Sequence, residues 1–132
     1  QITEAFYWDL NDQTRAWGKR FAAANGGKYP SADHAGVYAS VLHYLKAVDA
    51  AKTDDGTKVV AKMKELPTDD PLFGKGTIRA DGRKIHPVHL FEVKKPSESK
   101  YPYDYYKLVQ TIPADKAFRP IIDGGCPLVA TK

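Results

Sequence analysis

One cysteine in 132 residues, Cys126, excludes a disulfide-stapled small fold, since no bridge can close within the sequence. Its two readings are a small buried hydrophobe and a bridge to polypeptide outside the sequence. No stretch approaches the roughly 18 apolar residues that a bilayer span requires, so no membrane-crossing segment is expected. The first ten residues contain neither a basic n-region nor an apolar h-region, and Gln1 is not an initiator residue, which leaves room for sequence removed upstream. Internal repeats and low-complexity tracts are missing too. What is present is ordinary for a folded chain: 42% hydrophobic residues exclude a disordered polymer, and the length fits at most one domain.

The 20 Lys and Arg exceed the 16 Asp and Glu by four. That excess would suit nucleic acid or anionic lipid if it were gathered in one patch. The signs are interleaved instead, as in Lys58, Lys62, Lys64 and Glu65, so a solvated mixed surface is favoured over a small basic nucleic-acid-binding protein.

Residues 2–8 combine β-branched and aromatic side chains and read as an extended strand running into the turn Asp9-Leu10-Asn11-Asp12. A first helix is capped by Asn11 or Asp12 and ended by Gly26-Gly27, with Ala16, Trp17, Phe21 and Ala24 on its apolar stripe. Ser31 or Asp33 opens a second helix, whose Tyr38, Val41, Leu42, Leu45 and Val48 recur at the spacing of one buried face. A third begins at Asp54 or Asp55, carries Val59, Val60, Met63 and Leu66, and stops at Pro67.

Beyond Pro67 the period changes. Asp69-Asp70-Pro71 and Gly74-Lys75-Gly76 read as turns, and residues 77–79 and 85–93 as a hairpin closed by Asp81-Gly82, the second strand covered on both faces. A polar link at 95–100 leads to a strand over 105–112 and a Pro- and Gly-punctuated tail from 113 to 132. One strand, three helices, a hairpin and a late strand make an awkward complete domain, because so small a sheet cannot cover three amphipathic helices. The order suggests part of a larger α/β body.

Few residues carry chemistry. His86 and His89 are three apart on a predicted strand and point to opposite faces, so they do not share a metal ion. His34 and His43 lie on the second helix without a nucleophile, and His34 reads as a capping or cleft-edge residue one turn from Tyr38. Gly74-Lys75-Gly76 lacks the rest of a phosphate-binding loop, and the paired aspartates read as caps and turns. No catalytic group, metal or cofactor is expected. Tyr7, Trp8 and Asp9 end the first strand, where parallel α/β sheets place ligands, and are candidate cleft residues with His34 and Tyr38. In the competing reading, Phe6 and Trp8 pack in the core while Tyr7 faces water. Tyr101, Tyr103, Tyr105 and Tyr106 could stack on bases, though ordinary packing is favoured.

Four ordered runs carry a resemblance: Phe6-Tyr7-Trp8-Asp9-Leu10-Asn11-Asp12-Gln13-Thr14-Arg15, residues 35–48 (Ala35-Gly36-Val37-Tyr38 onward), residues 94–100 (Lys94-Lys95-Pro96-Ser97-Glu98-Ser99-Lys100) and Cys126-Pro127-Leu128-Val129. Together they resemble the C-terminal part of periplasmic solute-binding proteins of branched-chain amino-acid type ABC transporters, closest to a subgroup of soil and photosynthetic alphaproteobacteria, many of whose members take aromatic acids. The resemblance implies an α/β, two-lobed Venus-flytrap fold of which residues 1–132 are a C-terminal fragment: 1–12 a strand approaching the hinge, 13–95 helices and hairpin completing one lobe, 96–132 the late strand and tail. It further implies a periplasmic location, a small-molecule solute (aromatic acid or amino acid), a membrane permease and the rest of its own chain as partners, and no enzymatic chemistry. Cys126 is implied to bridge to a missing segment. The groups that hold the solute carboxylate are implied to lie upstream, so residues 1–132 alone would bind weakly. An amino-acid-sensing regulatory module of the same fold is the alternative.

Overall fold

A computed structural model describes residues 1–127 and residue 129. Strand β1 spans Ile2–Glu4 only, and helix α1 follows at Asp12–Ala24. Asn11 is its cap: the side chain accepts from the Thr14 N–H at 3.0 Å while the Thr14 hydroxyl accepts from the Asn11 N–H at 3.0 Å. Thr14 starts the inward row that continues through Trp17, Gly18 and Ala22, with Phe21 half-buried. Ala16 and Ala24, expected on that stripe, are exposed, because the buried row follows the four-residue spacing from Thr14. Gly26 and Gly27 close the helix at positive φ, and the Gly27 N–H reaches the Ala22 carbonyl at 2.8 Å.

Helix α2 spans Ala32–Ala51, and its buried row is Ala35, Ala39, His43 and Ala47, facing α3 (Gly56–Glu65) and strand β2 (Thr68–Asp70). This corrects the expected face. Leu42 and Val48 are half-buried, Tyr38 is exposed at its edge, and Val41 and Leu45 are 51% and 56% exposed. The alanine row lets α3 approach closely, and the His43 Nε2–H ties the pair together by donating to the Met63 carbonyl at 2.9 Å. On α3, capped by Asp55, Val59 is fully buried and Met63 half-buried, whereas Val60 faces outward.

Strands β2, β3 (Gly74–Ile78) and β4 (Lys84–Ile85) form one antiparallel sheet in that order. Gly74-Lys75-Gly76 thus begins a strand rather than a turn. Asp81-Gly82 does turn the hairpin, with Gly82 at φ +84° and the Arg79 N–H donating to the Arg83 carbonyl at 2.8 Å. The hairpin's second strand, however, breaks at Pro87, which has no N–H for the ladder. Its continuation, β5 (Val88–Val93), crosses to a second antiparallel sheet, ordered β1-β5-β6, with β6 at Tyr106–Ile112. Only Phe91 of β5 is fully buried, beside a bulge at Leu90/Phe91, so the expected two-sided cover is not found. The tail carries a short helix α4 (Ala114–Ala117) and a 3₁₀ turn at Ile121–Gly124. Phe118 docks it between His86 and the Arg83 guanidinium.

The two sheets and α1 meet in an aromatic core of Phe6, Tyr7, Trp8, Trp17, Leu72 and Phe91, closed by Ala35. Among the described residues no helix is long and apolar enough to cross a membrane, and no group of His, Cys, Asp or Glu could hold a metal ion.

Candidate functional site

Beyond Glu4 the backbone stops pairing and turns inward, so that Phe6, Tyr7 and Trp8 are all buried. The competing sequence reading places Phe6 and Trp8 in the core correctly and fails at Tyr7. The sheets are antiparallel, so the strand-end rule for parallel sheets does not apply, and Tyr7 does not face water. Burying a tyrosine requires partners for its hydroxyl, and the segment before β6 supplies them. The Tyr7 hydroxyl donates to the Tyr103 carbonyl at 3.0 Å and accepts from the Tyr105 N–H at 3.1 Å. Trp8 Nε1–H donates to the same Tyr103 carbonyl at 3.0 Å. Tyr103 sits at φ +67°, a left-handed conformation uncommon for a bulky residue, which turns its carbonyl toward both donors. Burial raises the Tyr7 phenol above its ordinary pKa, and the Tyr105 N–H pulls it part of the way back.

The rings enclose a cleft of about 280 Å³ whose lining includes Tyr7, Trp8, Tyr29, Ser31, Tyr103 and Tyr106. Trp8 lies 4.0 Å from Tyr29 between ring centroids, and Tyr7 lies 5.0 Å from Tyr106. Because the polar ends of Tyr7 and Trp8 are bound to backbone, those residues offer the cleft ring surface rather than donors. Glu4 at the rim and the Ser31 hydroxyl are its polar side chains beside the tyrosines. Tyr7→Phe removes a donor from Tyr103 and strands the Tyr105 N–H, so a loss of about 1–3 kcal/mol in unfolding free energy is expected. Denaturant unfolding of the full chain measures it; Tyr38→Phe, at an exposed position, serves as the silent control.

Asp9 points away from this cleft. One carboxylate oxygen receives Arg15 Nη1 at 2.9 Å and the other the Tyr101 hydroxyl, whose pKa is pushed up to about 12 by that hydrogen bond. Its acceptors are committed, and Asp9 organises the turn into α1. His34 and Tyr38 stand elsewhere, on a groove of about 740 Å³ between α1 and α2, against Phe21 and Trp17 respectively. His34 Nδ1 accepts from the Ser31 N–H at 3.1 Å, the capping role read from the sequence. Of the five candidates, then, Tyr7 and Trp8 share the cleft, Asp9 flanks it, and the other two form a separate groove joined to it through the Ser31 cap.

Tyr29 and the 101–106 segment are the residues that sequence reasoning missed as a unit. Their anchor is Asp104, 1% exposed, whose carboxylate accepts from Lys94 Nζ at 2.5 Å and the Lys100 N–H at 2.9 Å. The Lys94 ammonium first, then the Lys100 N–H, hold it below the usual carboxylate range. Its folded pKa being depressed, the stabilisation is complete above the ordinary carboxylate range and is lost as pH falls from that range through the lower folded pKa. Acid titration of the full chain should therefore release residues 94–105 before the helices melt, read by amide hydrogen exchange of that segment.

A family profile described as "Periplasmic binding protein" matches residues 1–100. The chain belongs to the periplasmic binding protein family. It superposes on a periplasmic binding protein from Burkholderia mallei with TM-score 0.91 and 46% identity, covering 96% of this chain and 33% of that one. A branched chain amino acid ABC transporter periplasmic ligand-binding protein from Burkholderia xenovorans LB400 matches with TM-score 0.89 and 40% identity, over 96% and 33% of the two chains. At 19% identity, a leucine-, isoleucine-, valine-, threonine-, and alanine-binding protein from Brucella ovis in its closed conformation shares the fold, with TM-score 0.72 over 91% and 32%. No curated protein matches. The chain therefore spans about a third of these periplasmic binding proteins. Its small sheets and four helices are that third of the fold, which accounts for an element order that makes no complete domain.

Proposed function

We propose that the chain is the C-terminal portion of a periplasmic solute-binding protein that captures a branched-chain amino acid or, by preference, an aromatic carboxylate, and delivers it to an ABC-transporter permease by hinge closure without chemistry. The observation that carries this reading is the cleft of Tyr7, Trp8, Tyr29 and Tyr103, in which the Tyr7 and Trp8 donors are spent on backbone and the ring faces suit a flat apolar body. No cation lines it, so the carboxylate is held by groups elsewhere in the whole protein, while Glu4 at its rim suits an ammonium. Four of the less exposed basic side chains are paired locally, Arg15 with Asp9, Arg79 with Asp81, Lys84 with Asp70 and Lys94 with Asp104.

In this reading residues 1–12 approach the hinge, 13–95 complete one lobe and 96–132 form the late strand and tail. The meeting of β1, β5 and β6 in one sheet supports it, since distant stretches of sequence converge there. The bulky row of α2 beyond the groove it shares with α1, with Leu45 at 56% exposure, packs against the remaining two thirds of the protein, because a helix apolar on opposite sides is built to be covered on both. His34 and Tyr38 are kept as a second set of ligand contacts. Half-buried Cys126 is assigned a bridge to a cysteine elsewhere in the same protein; Leu128, beside it, lies outside the described residues. Alkylation and intact mass with and without reductant test that bridge, which fails if the thiol labels freely.

The decisive experiment is calorimetric titration of the full-length protein with aliphatic amino acids and aromatic acids. Aromatic carboxylates should bind tightest, and Trp8→Ala should weaken them by tenfold or more, the equivalent of about 1.4 kcal/mol of lost ring contact. Stabilisation by sugars, glycerol or metal ions alone would overturn the assignment. A Glu4→Gln variant separates the two solute types, weakening amino acids and sparing acids that lack an amine.

A further inference from the structure

We propose that Asp104 is a positioning residue for the aromatic cleft: its enclosed carboxylate, bridging Lys94 and Lys100, pins the 94–105 segment so that the Tyr103 carbonyl sets the orientation of the Tyr7 and Trp8 rings. The inference rests on the reading of that cleft as the solute site.

Lys94 directly follows β5 and pairs across to the Tyr105 carbonyl through its own N–H at 2.8 Å, so the two ends of the segment are already fixed at the edge of the sheet. Between them lie ten residues, 95–104, that make no ladder, and Tyr103 within them holds a conformation that costs on the order of 1–3 kcal/mol. Something must over-determine that conformation. Asp104 does so from the adjacent position: one oxygen takes the Lys94 ammonium at 2.5 Å, the other takes the Lys100 N–H at 2.9 Å, and its own N–H donates to the Tyr101 carbonyl at 3.2 Å. Removing the carboxylate frees Tyr103 to relax out of the left-handed region, and its carbonyl then leaves both Tyr7 and Trp8. The rings lose their orientation although no residue touching the solute has changed. Charged and titratable groups facing Asp104 are Lys94, Lys100, Tyr7 and Tyr101.

The readout is the Trp8 indole N–H, which reports the bond to Tyr103 directly. In the full-length protein labelled with ¹⁵N, its solvent exchange is compared with that of the Trp17 indole, buried in the same core but remote from the segment. Asp104→Ala should accelerate Trp8 exchange about tenfold or more, the equivalent of losing one charge-assisted hydrogen bond, with Trp17 unmoved. Asp104→Asn, which keeps an acceptor for the Lys100 N–H, should recover part of the protection. Lys94→Met is the second variant should the alanine form not fold, and it should accelerate Trp8 alone. If Trp8 exchange is unchanged, or rises in step with Trp17, the proposal is wrong. If Trp8 is released while the affinity for aromatic acids stays at the wild-type value, the latch exists but the cleft is not the solute site, and the assignment of function falls instead.

Discussion

Phe91→Ala is expected to cost about 3–5 kcal/mol, among the largest losses any single truncation in this chain can produce. Phe91 is 1% exposed on β5, the central strand of the β1-β5-β6 sheet, paired with Ile2 on one side and Leu108 on the other. Its ring lies 5.7 Å from Tyr7 and 5.6 Å from Tyr106 between centroids, so it forms the floor on which the cleft's own rings rest. A cavity there cannot collapse easily, because both neighbouring strands are tied through β5 and the bulge at Leu90/Phe91 already sets the direction of this side chain. The effect should therefore appear twice: as a drop in the denaturant midpoint of the full-length protein, and as weakened solute binding under conditions where the variant is still folded. Val93→Ala on the same strand, 56% exposed, should change stability by less than about 0.5 kcal/mol. A Phe91→Ala loss below about 1 kcal/mol would mean that the aromatic core does not organise this part of the fold.

What was legible in the sequence follows the range of the interactions involved. Helix starts depend on contacts three residues apart, as in Asn11 with Thr14 and Asp55 with Lys58, and these were readable from cap chemistry alone. The Asp81-Gly82 turn was readable for the same reason. The choice between the two apolar rows of α2 was not, because periodicity reports that a face is apolar without saying which neighbour is present to cover it; Ala35, Ala39 and Ala47 look unremarkable beside Val41 and Leu45, yet theirs is the buried row, with Ala35 closing the aromatic core. The cleft was only half visible. Tyr7 and Trp8 stood out as aromatics before a turn, but the groups that hold them are 96 and 95 positions away, and no local pattern announces that Tyr103 turns its carbonyl back to them. The division of β4 from β5 could have been anticipated, since Pro87 cannot serve a central ladder.

Gly74-Lys75-Gly76 shows the same limit at one residue, and it yields the second large effect. A turn would require Gly76 for its conformational freedom, and replacement by alanine would then be mild. In the strand the requirement is steric: a Cβ on Gly76 would lie 2.3 Å from the Ile85 carbonyl oxygen and 2.9 Å from Thr68 Oγ1. Thr68 is itself 1% exposed on β2, opposite Gly76 in register, so it has no room to retreat. The Ile85 oxygen is backbone on β4 and can move only if the β3–β4 pairing opens. Gly76→Ala should thus cost at least the roughly 1–3 kcal/mol typical of overpacking, because the obstruction is main chain rather than a flexible side chain. Amide exchange should quicken across β2, β3 and β4 and stay unchanged in β1, β5 and β6, which form a separate sheet. Lys75→Ala, next to it and exposed, should be silent. Since Lys84 on β4 pairs with Asp70 on β2 across this sheet, opening it also exposes a carboxylate that now caps the Leu72 and Phe73 N–H groups, and the loss would then extend to the turn that places Leu72 and Phe73 in and against the core. An alanine variant with an unchanged denaturant midpoint would show that the β2-β3-β4 sheet is looser than its register implies.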